Sequence, residues 1–284
     1  MKLVRFGDVN QESPGVISSS GDIIDVSSFT DDFDPRFFEE NGINSLTAWL
    51  QQNEESLATY PTSVRMGSPI AKPGKILCIG LNYSDHAKES GAQVPTEPLL
   101  FSKAVTALNG PFDKIEIPRK STQTDWEVEL AFVIGKRAKY VEQADAMSYI
   151  AGYCVMNDVS EREFQKDHCG QWVKGKSHDT FAPLGPYLVT PDEIEDVQNL
   201  AMHLDVNGER MQTGSTCNMI FNVTFLLSYL SQFMTLAPGD VISTGTPPGV
   251  GMGRNPQVFL KPGDVVELGV EGLGSQRQEI VASS

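Results

Sequence analysis

The chain has 284 residues, enough to bury a sizeable core as one large domain or as a large and a small one. Its 22 Lys and Arg against 37 Asp and Glu leave a net charge of −15, which argues against nucleic acid and anionic lipid as partners because both need a basic face. No stretch approaches 18 apolar residues and positions 1–7 lack the apolar core of a signal peptide, so a cytoplasmic protein without membrane contact is expected.

Short strands are expected at residues 2–6, 15–17 and 23–26, separated by Gly, Pro and Ser turns. A short helix is expected over 45–50, with Ser45 as its cap. Pro61, Pro69 and Pro73-Gly74 then punctuate the chain and mark a domain boundary near residue 70, dividing a small N-terminal domain (1–70) from a larger one (71–284). Strands dominate beyond it, at 75–81, 99–101, 114–117, 127–134 and 149–156. Residues 202–206 run into Asn207-Gly208, a tight-hairpin signal because both residues accept positive φ. Residues 220–233 carry the clearest helical periodicity, and 239–243 and 264–270 return to strands. The pattern gives a mixed, strand-rich α+β fold. Cys78 and Cys154 fall inside apolar strands, and Cys169 and Cys217 form no C-x-x-C pair with them, which suits reduced thiols.

Glu127 and Glu129 are spaced i, i+2 in a strand, so period-2 geometry puts both carboxylates on one face. Alone, such a pair is the ordinary pattern of a solvent-facing edge strand. On a buried face it needs a compensating cation. Asp158, closing the next apolar run, can add a third oxygen. Three hard oxygen donors suit Mg²⁺, Mn²⁺ or Ca²⁺ better than zinc, and a bound cation would let an acidic protein take an anionic substrate. Upstream, 84–89 reads as a helical turn that stacks His86 over Glu89, a carboxylate that would fix the imidazole tautomer and make it a general base, although the same spacing also describes a surface ion pair. Arg162 and Gln165, three apart, would point the same way from a helical turn or form a solvated polar surface.

Two glycine-rich segments are set aside. Residues 170–177 satisfy G-x-x-x-x-G-K-S letter for letter but lack the strand before and the helix after that phosphate binding requires. Gly249-Val250-Gly251-Met252-Gly253 is flanked by Pro247-Pro248 and Asn255-Pro256, which removes the strand–turn–helix context of a dinucleotide loop. Its glycines instead suit close approach of backbone to a ligand.

Glu127-x-Glu129 and Asp158, with Ile79-Gly80-Leu81-Asn82-Tyr83-Ser84-Asp85-His86 before them and Lys176-Ser177-His178-Asp179-Thr180-Phe181 and Thr244-Gly245-Thr246-Pro247-Pro248-Gly249 after, resemble the fumarylacetoacetate hydrolase family over about residues 70 to 280. The chain looks most like the bacterial branch that hydrolyses 2,4-diketo-3-deoxy sugar acids, whose members often carry a ureidoglycolate lyase label. The resemblance implies the family's rolled mixed β-sheet, preceded by a small N-terminal α+β domain, and a homodimer. It also implies Mg²⁺ or Mn²⁺ on Glu127, Glu129 and Asp158, and His86 and Glu89 as a catalytic pair on a lid. Lys176 would be the active-site lysine, with Arg162, Gln165, Thr180, Gly245 and Thr246 contacting substrate. His168 and His178 match no family position and are expected to be structural or at the surface. The implied reaction is hydrolysis of a C–C bond in an acylpyruvate-type 2-oxo acid, such as 2,4-diketo-3-deoxy-L-fuconate or -rhamnonate, to pyruvate and a carboxylic acid. Oxaloacetate decarboxylation, ureidoglycolate cleavage and a non-catalytic metal-binding scaffold are the alternatives.

Overall fold

Seven consecutive buried residues form Val128–Ile134 and eight form Ile150–Asn157. Runs apolar on both faces belong in the middle of a covered sheet, and the two strands pair antiparallel there, Val128 opposite Asn157. The fold, obtained as a computed structural model, describes residues 1–89 and 93–283, with the backbone alone at 86–88. Among these, one sheet of 12 strands has the order Thr59–Tyr60, Ile23–Asp25, Ser13–Ile17, Lys2–Phe6, Ala182–Val189, Ile150–Asn157, Val128–Ile134, Val241–Ser243, Ile76–Gly80, Leu99–Lys103, with Met66–Gly67 and Leu108–Asn109 added at its side. A second sheet of 5 strands, Glu209–Ser215, Ala201–Val206, Val265–Val270, Gly274–Ala282 and Ile115–Ile117, packs on the two central strands. The architecture is the strand-rich α+β class expected. Asn207-Gly208 makes the hairpin of the second sheet with φ of 53° and 78°.

The first strand pairs with Ala182–Val189, so the N-terminal segment extends the main sheet and shares its apolar core. The strand Ala182–Val189 itself was not expected, because Pro183, Gly185 and Pro186 are unusual inside a sheet. Its ladder to Ile150–Asn157 shifts register between Tyr153 and Val155. Buried Gln276 donates to the carbonyls of Val155, Pro183 and Gly185 at 2.8, 3.3 and 3.0 Å, satisfying acceptors that the irregular pairing leaves open.

The helix expected at 45–50 is longer, Gly42–Asn53, and Ser45 does not cap it. Asn41, at φ 58°, holds the cap position, and the Ser45 hydroxyl bonds back to its carbonyl inside the first turn. The helix expected at 220–233 is Val223–Phe233, capped by the Asn222 side chain on the Phe225 amide at 2.9 Å.

Val241–Ser243 runs antiparallel to Val128–Ile134 and parallel to Ile76–Gly80. The ends Gly80, Ser243 and Asn157 therefore reach the same sheet rim as the start of Val128–Ile134. The cleft opens beyond that rim.

Candidate active site and metal centre

Glu129, 1% exposed, points out of a doubly covered strand. Its carboxylate is fixed from the neighbouring strand: Ser243 Oγ donates to Oε2 at 2.5 Å and the Gly245 amide to the same oxygen at 2.9 Å. Glu127 sits one residue before the strand, tied to the partner strand by its amide on Asn157 Oδ1 and its carbonyl on the Asp158 amide. These bonds bring Glu127, Glu129 and Asp158 together, all buried, with candidate ligand atoms within 4.8 Å of one another.

Three buried cations surround the carboxylates. Lys176 Nζ lies 2.8 Å from Glu127 Oε2 and 2.8 Å from Asp158 Oδ2. Lys103 Nζ donates to the other Asp158 oxygen at 2.5 Å and to the Val159 carbonyl at 3.0 Å. Arg162 spans Asp125 and Glu127 at 2.8 and 2.7 Å and donates to Gln165 Oε1 at 3.1 Å. Burial works against the Lys176 ammonium, but Asp158 and Glu127 outweigh it and hold its pKa above the ordinary value. Burial wins at Lys103, whose pKa is lowered despite Asp158. Glu129 is pushed well up by burial and then by Asp158 and Glu127. Among the described residues no salt bridge reaches Glu129, so the site lacks one positive charge. An all-oxygen donor set with a carboxylate short of a cation fits a hard divalent ion. Glu127, Glu129 and Asp158 are the residues that would hold it.

The glycine-rich segment after Pro248 approaches carboxylates of its own chain rather than leaving space for a nucleotide. The Gly249 amide lies 3.0 Å from both oxygens of Glu89, and the Gly251 and Met252 amides bond Asp125 at 2.7 and 3.0 Å. A β-carbon at Gly249 would stand 2.0 Å from the Met211 carbonyl, and one at Gly251 1.9 Å from that of Val258, so only glycine fits. Residues 170–177 follow the helix Arg162–Lys166 and contain the short helix Val173–Lys176, so the phosphate-loop context is absent there too.

The cleft encloses about 230 Å³. Ile79, Gly80, Leu81, Phe101, Trp172 and Met252 line it together with Glu127, Glu129, Arg162, Gln165, Lys166, Lys176 and Thr246. The Trp172 ring packs on Phe101 with centroids 5.2 Å apart and covers Gly80. Leu81 has φ of 56°, in the left-handed region that costs a side-chain-bearing residue roughly 1–2 kcal/mol.

The structure thus brings Glu127, Glu129, Arg162, Gln165, Lys176 and Thr246 to one cleft, with Asp158 fully buried against Glu127, Glu129 and Lys176. Gly245 reaches it through its amide, which clamps Glu129. Glu89 closes the helix Ser84–Glu89 and docks on the glycine-rich segment. The side chain of His86 lies outside the described residues. The Thr180 hydroxyl accepts the Glu116 amide at 3.0 Å, and Thr180 is not among the residues that line the cleft. Its carbonyl-side neighbour Phe181 is the residue turned inward, packed under Lys103. His168 is exposed and His178 half-buried against Phe164 and Phe181. Asp125 and Lys103, the partners that hold Arg162 and Asp158, were not foreseen. Asp125 stands beside the carboxylate pair in sequence, but Lys103 ends an apolar strand and carries no local signal.

The family description "Fumarylacetoacetate (FAA) hydrolase C-terminal" matches residues 75–281. The chain belongs to the fumarylacetoacetate hydrolase family. A family member from Sphingomonas sp. (strain SKA58), named 2,4-didehydro-3-deoxy-L-rhamnonate hydrolase, is 52% identical over 281 residues, covering 99% of this chain and 96% of that protein. Among solved structures, the fumarylacetoacetate hydrolase of psychrophilic Exiguobacterium antarcticum superposes with a TM-score of 0.86 at 35% identity, with each chain covered in full. A maleylpyruvate hydrolase of Sphingobium sp. SYK-6, solved with manganese(II) and pyruvate, gives 0.84 at 27% identity, again with both chains fully covered. The chain is accordingly a fumarylacetoacetate hydrolase family enzyme, and it carries a buried carboxylate cluster able to hold a metal ion.

Proposed function

We propose that the protein hydrolyses the C3–C4 bond of a 2,4-diketo-3-deoxy sugar acid, the L-rhamnonate or L-fuconate derivative, giving pyruvate and a hydroxy acid. The observation that carries this reading is the buried Glu127–Glu129–Asp158 cluster, one positive charge short, at the base of a cleft that also holds Lys176 and Arg162. The relative named for the rhamnonate compound supports the substrate class.

Mg²⁺ or Mn²⁺, with Ca²⁺ as a weaker candidate, would be held by the three carboxylates and would supply Lewis-acid stabilisation of the charge developing at the 2-oxo group. Around it, Arg162 and Gln165 present a guanidinium and an amide to an anionic, oxygen-rich ligand. His86, oriented by Glu89, takes a proton from the water that attacks C4. Breaking C3–C4 leaves the electron pair on the pyruvate side as an enolate, which the Lys176 ammonium stabilises; C3 then takes up one proton, and the proton held by His86 is released, restoring the base. Gly245 and Ser243 serve by fixing Glu129, and Thr246 by joining Val128 to Gln212 at 2.9 and 2.8 Å.

Every residue of the cleft comes from 79–252, which supports 71–284 as the catalytic domain, with 1–70 as a small domain bracing its sheet. A homodimer is supported by an aromatic row on one face of Val223–Phe233: Phe221, Phe225, Tyr229 and Phe233 stand at successive spacings of 5.3, 6.0 and 4.8 Å, with Phe233 63% exposed. Light scattering checks it: a mass fixed at 31.1 kDa on concentration removes the dimer. A cytoplasmic setting is supported by four free cysteines, two of them buried. Among the described residues no helix is long and apolar enough to cross a membrane.

The deciding assay supplies purified protein and Mg²⁺ with 2,4-diketo-3-deoxy-L-rhamnonate, oxaloacetate and ureidoglycolate in turn. Chelator-sensitive pyruvate release from the first is the expected result. Turnover of oxaloacetate or ureidoglycolate alone would replace hydrolysis by decarboxylation or by lyase chemistry.

A further inference from the structure

Leu81 occupies a backbone conformation that glycine or asparagine would adopt more easily, yet it keeps an isobutyl group in the lining of the cleft. That conformation is fixed by the next residue. Asn82, fully buried, donates to the carbonyls of Thr244 and Phe221 at 2.7 and 3.0 Å and accepts the Phe221 amide at 2.8 Å. With Ile79, Phe101, Trp172 and Met252, Leu81 gives the cleft an apolar lining beside its charged residues.

The buried cations are already engaged: Arg162 with Asp125 and Glu127, Lys176 with Glu127 and Asp158, Lys103 with Asp158. Among the described residues, Lys166 lines the cleft without a salt bridge, but it is exposed to solvent at the mouth. A substrate tail that leaves the carboxylate end therefore meets carbon, and a second carboxylate placed there would lose its hydration without gaining a buried partner.

We propose that Leu81, together with Met252, sets the specificity of the cleft for an uncharged substrate tail ending in carbon and excludes a second carboxylate. This deepens the acylpyruvate reading of the same site and rests on it. A 6-deoxy sugar acid, whose chain ends in a methyl group, satisfies the requirement, whereas dicarboxylic acylpyruvates do not.

The test compares 2,4-dioxohexanoate with 2,4-dioxohexanedioate, equal in length and differing only in a terminal methyl or carboxylate, by kcat/KM with Mg²⁺. It is paired with calorimetric binding of 2-oxohexanoate and 2-oxohexanedioate, which lack the 4-oxo group and resist cleavage. The wild-type protein should favour the monoacid by roughly 100-fold or more in kcat/KM. Leu81→Gly should retain or raise Tm, because glycine suits the left-handed backbone, while the preference falls by about tenfold or more. Leu81→Arg should move it further towards the diacid. Equal turnover and binding of both acids by the wild type would overturn the specificity role and leave the hydrolase reading standing. A preference unchanged in Leu81→Gly but shifted in Lys166→Met would assign the role to Lys166 instead. If neither dioxo acid is cleaved by Mg²⁺-loaded protein, the hydrolase reading falls, and this inference with it.

Discussion

Two networks of charge, one half-buried and one buried, sit on the same sheet and are built to opposite ends. Near the N-terminus, Arg5 and Arg65 engage Glu12, Asp32 and Asp113. Arg5 grips Asp32 at 2.6 and 3.0 Å, Arg65 grips Asp113 at 2.9 and 2.6 Å, and Glu12 bridges the two arginines. Every carboxylate there faces a guanidinium, in the forked geometry that makes such pairs strong. At the cleft, Arg162, Lys103 and Lys176 meet Asp125, Glu127 and Asp158, whereas among the described residues Glu129 receives a hydroxyl and an amide and no cation. The first network is closed and ties the first strand to the loops that carry Glu12, Asp32, Arg65 and Asp113. The second leaves one carboxylate without an ion pair, an arrangement that costs stability by itself and would favour a bound cation.

Removing Glu129 should separate the two most sharply. Glu129→Gln is expected to lower kcat/KM by roughly 10³-fold or more, the combined loss of a metal ligand and of the charge stabilisation it supports. Its Tm in excess chelator should hold or rise, because a buried carboxylate without an ion pair has gone. Full turnover in this variant would remove the metal assignment. Next in size is His86→Ala, which should cost roughly 10²–10⁴ in 2,4-diketo-acid hydrolysis while any oxaloacetate decarboxylation survives much better. Parallel loss of both activities would give His86 a role other than activating water.

The N-terminal network predicts the reverse pattern. Arg65→Met should destabilise the protein by about 1–3 kcal/mol, read as a lower Tm, with kcat/KM within about twofold of wild type. A large loss of activity at a temperature where the variant is folded would mean that the two networks are not independent.

The smallest effect concerns His178. Burial holds its pKa below 6.5, with Glu161 and Asp179 pulling upward and Lys103 pulling down, and among the described residues its Nε2 has no hydrogen-bond partner. The unfolded chain takes up the proton first, so the contribution to stability is complete above pH 6.5 and declines as pH falls through the depressed folded value. His178→Phe should flatten that part of the Tm–pH profile. An unchanged profile would show that the imidazole does not titrate differently on folding.

How much of this was readable in the sequence follows the range of the interactions. Glu127 and Glu129 declared themselves because a two-residue period is local, and Asp158 because it ends an apolar run. The Asn207-Gly208 hairpin and the helix at 223–233 are local for the same reason. Lys103 pairs with a residue 55 positions away and Arg162 with one 37 positions away, and no window of sequence contains both members. Ala182–Val189 stayed hidden because its prolines argue against a central strand, and the buried Gln276 that compensates lies 91 residues beyond Gly185. Ser45 misled as a cap because serine favours such positions, whereas Asn41 tolerates the left-handed turn that starts the helix four residues earlier. Thr180 was placed by resemblance alone, and its hydroxyl accepts the Glu116 amide.

The insertion of Val241–Ser243 between Ile76–Gly80 and Val128–Ile134 has a consequence for the order of assembly. Once translation passes residue 158, all three candidate ligands exist, but the hydroxyl and amide that orient Glu129 are still 114 and 116 residues downstream of it. Contacts of such sequence separation close late, because the chain between them must first surrender its freedom. Val241–Ser243 completes two ladders when it enters, and with it the cleft acquires its final donor geometry. Ligand binding is thereby reserved for a chain whose main sheet is already whole.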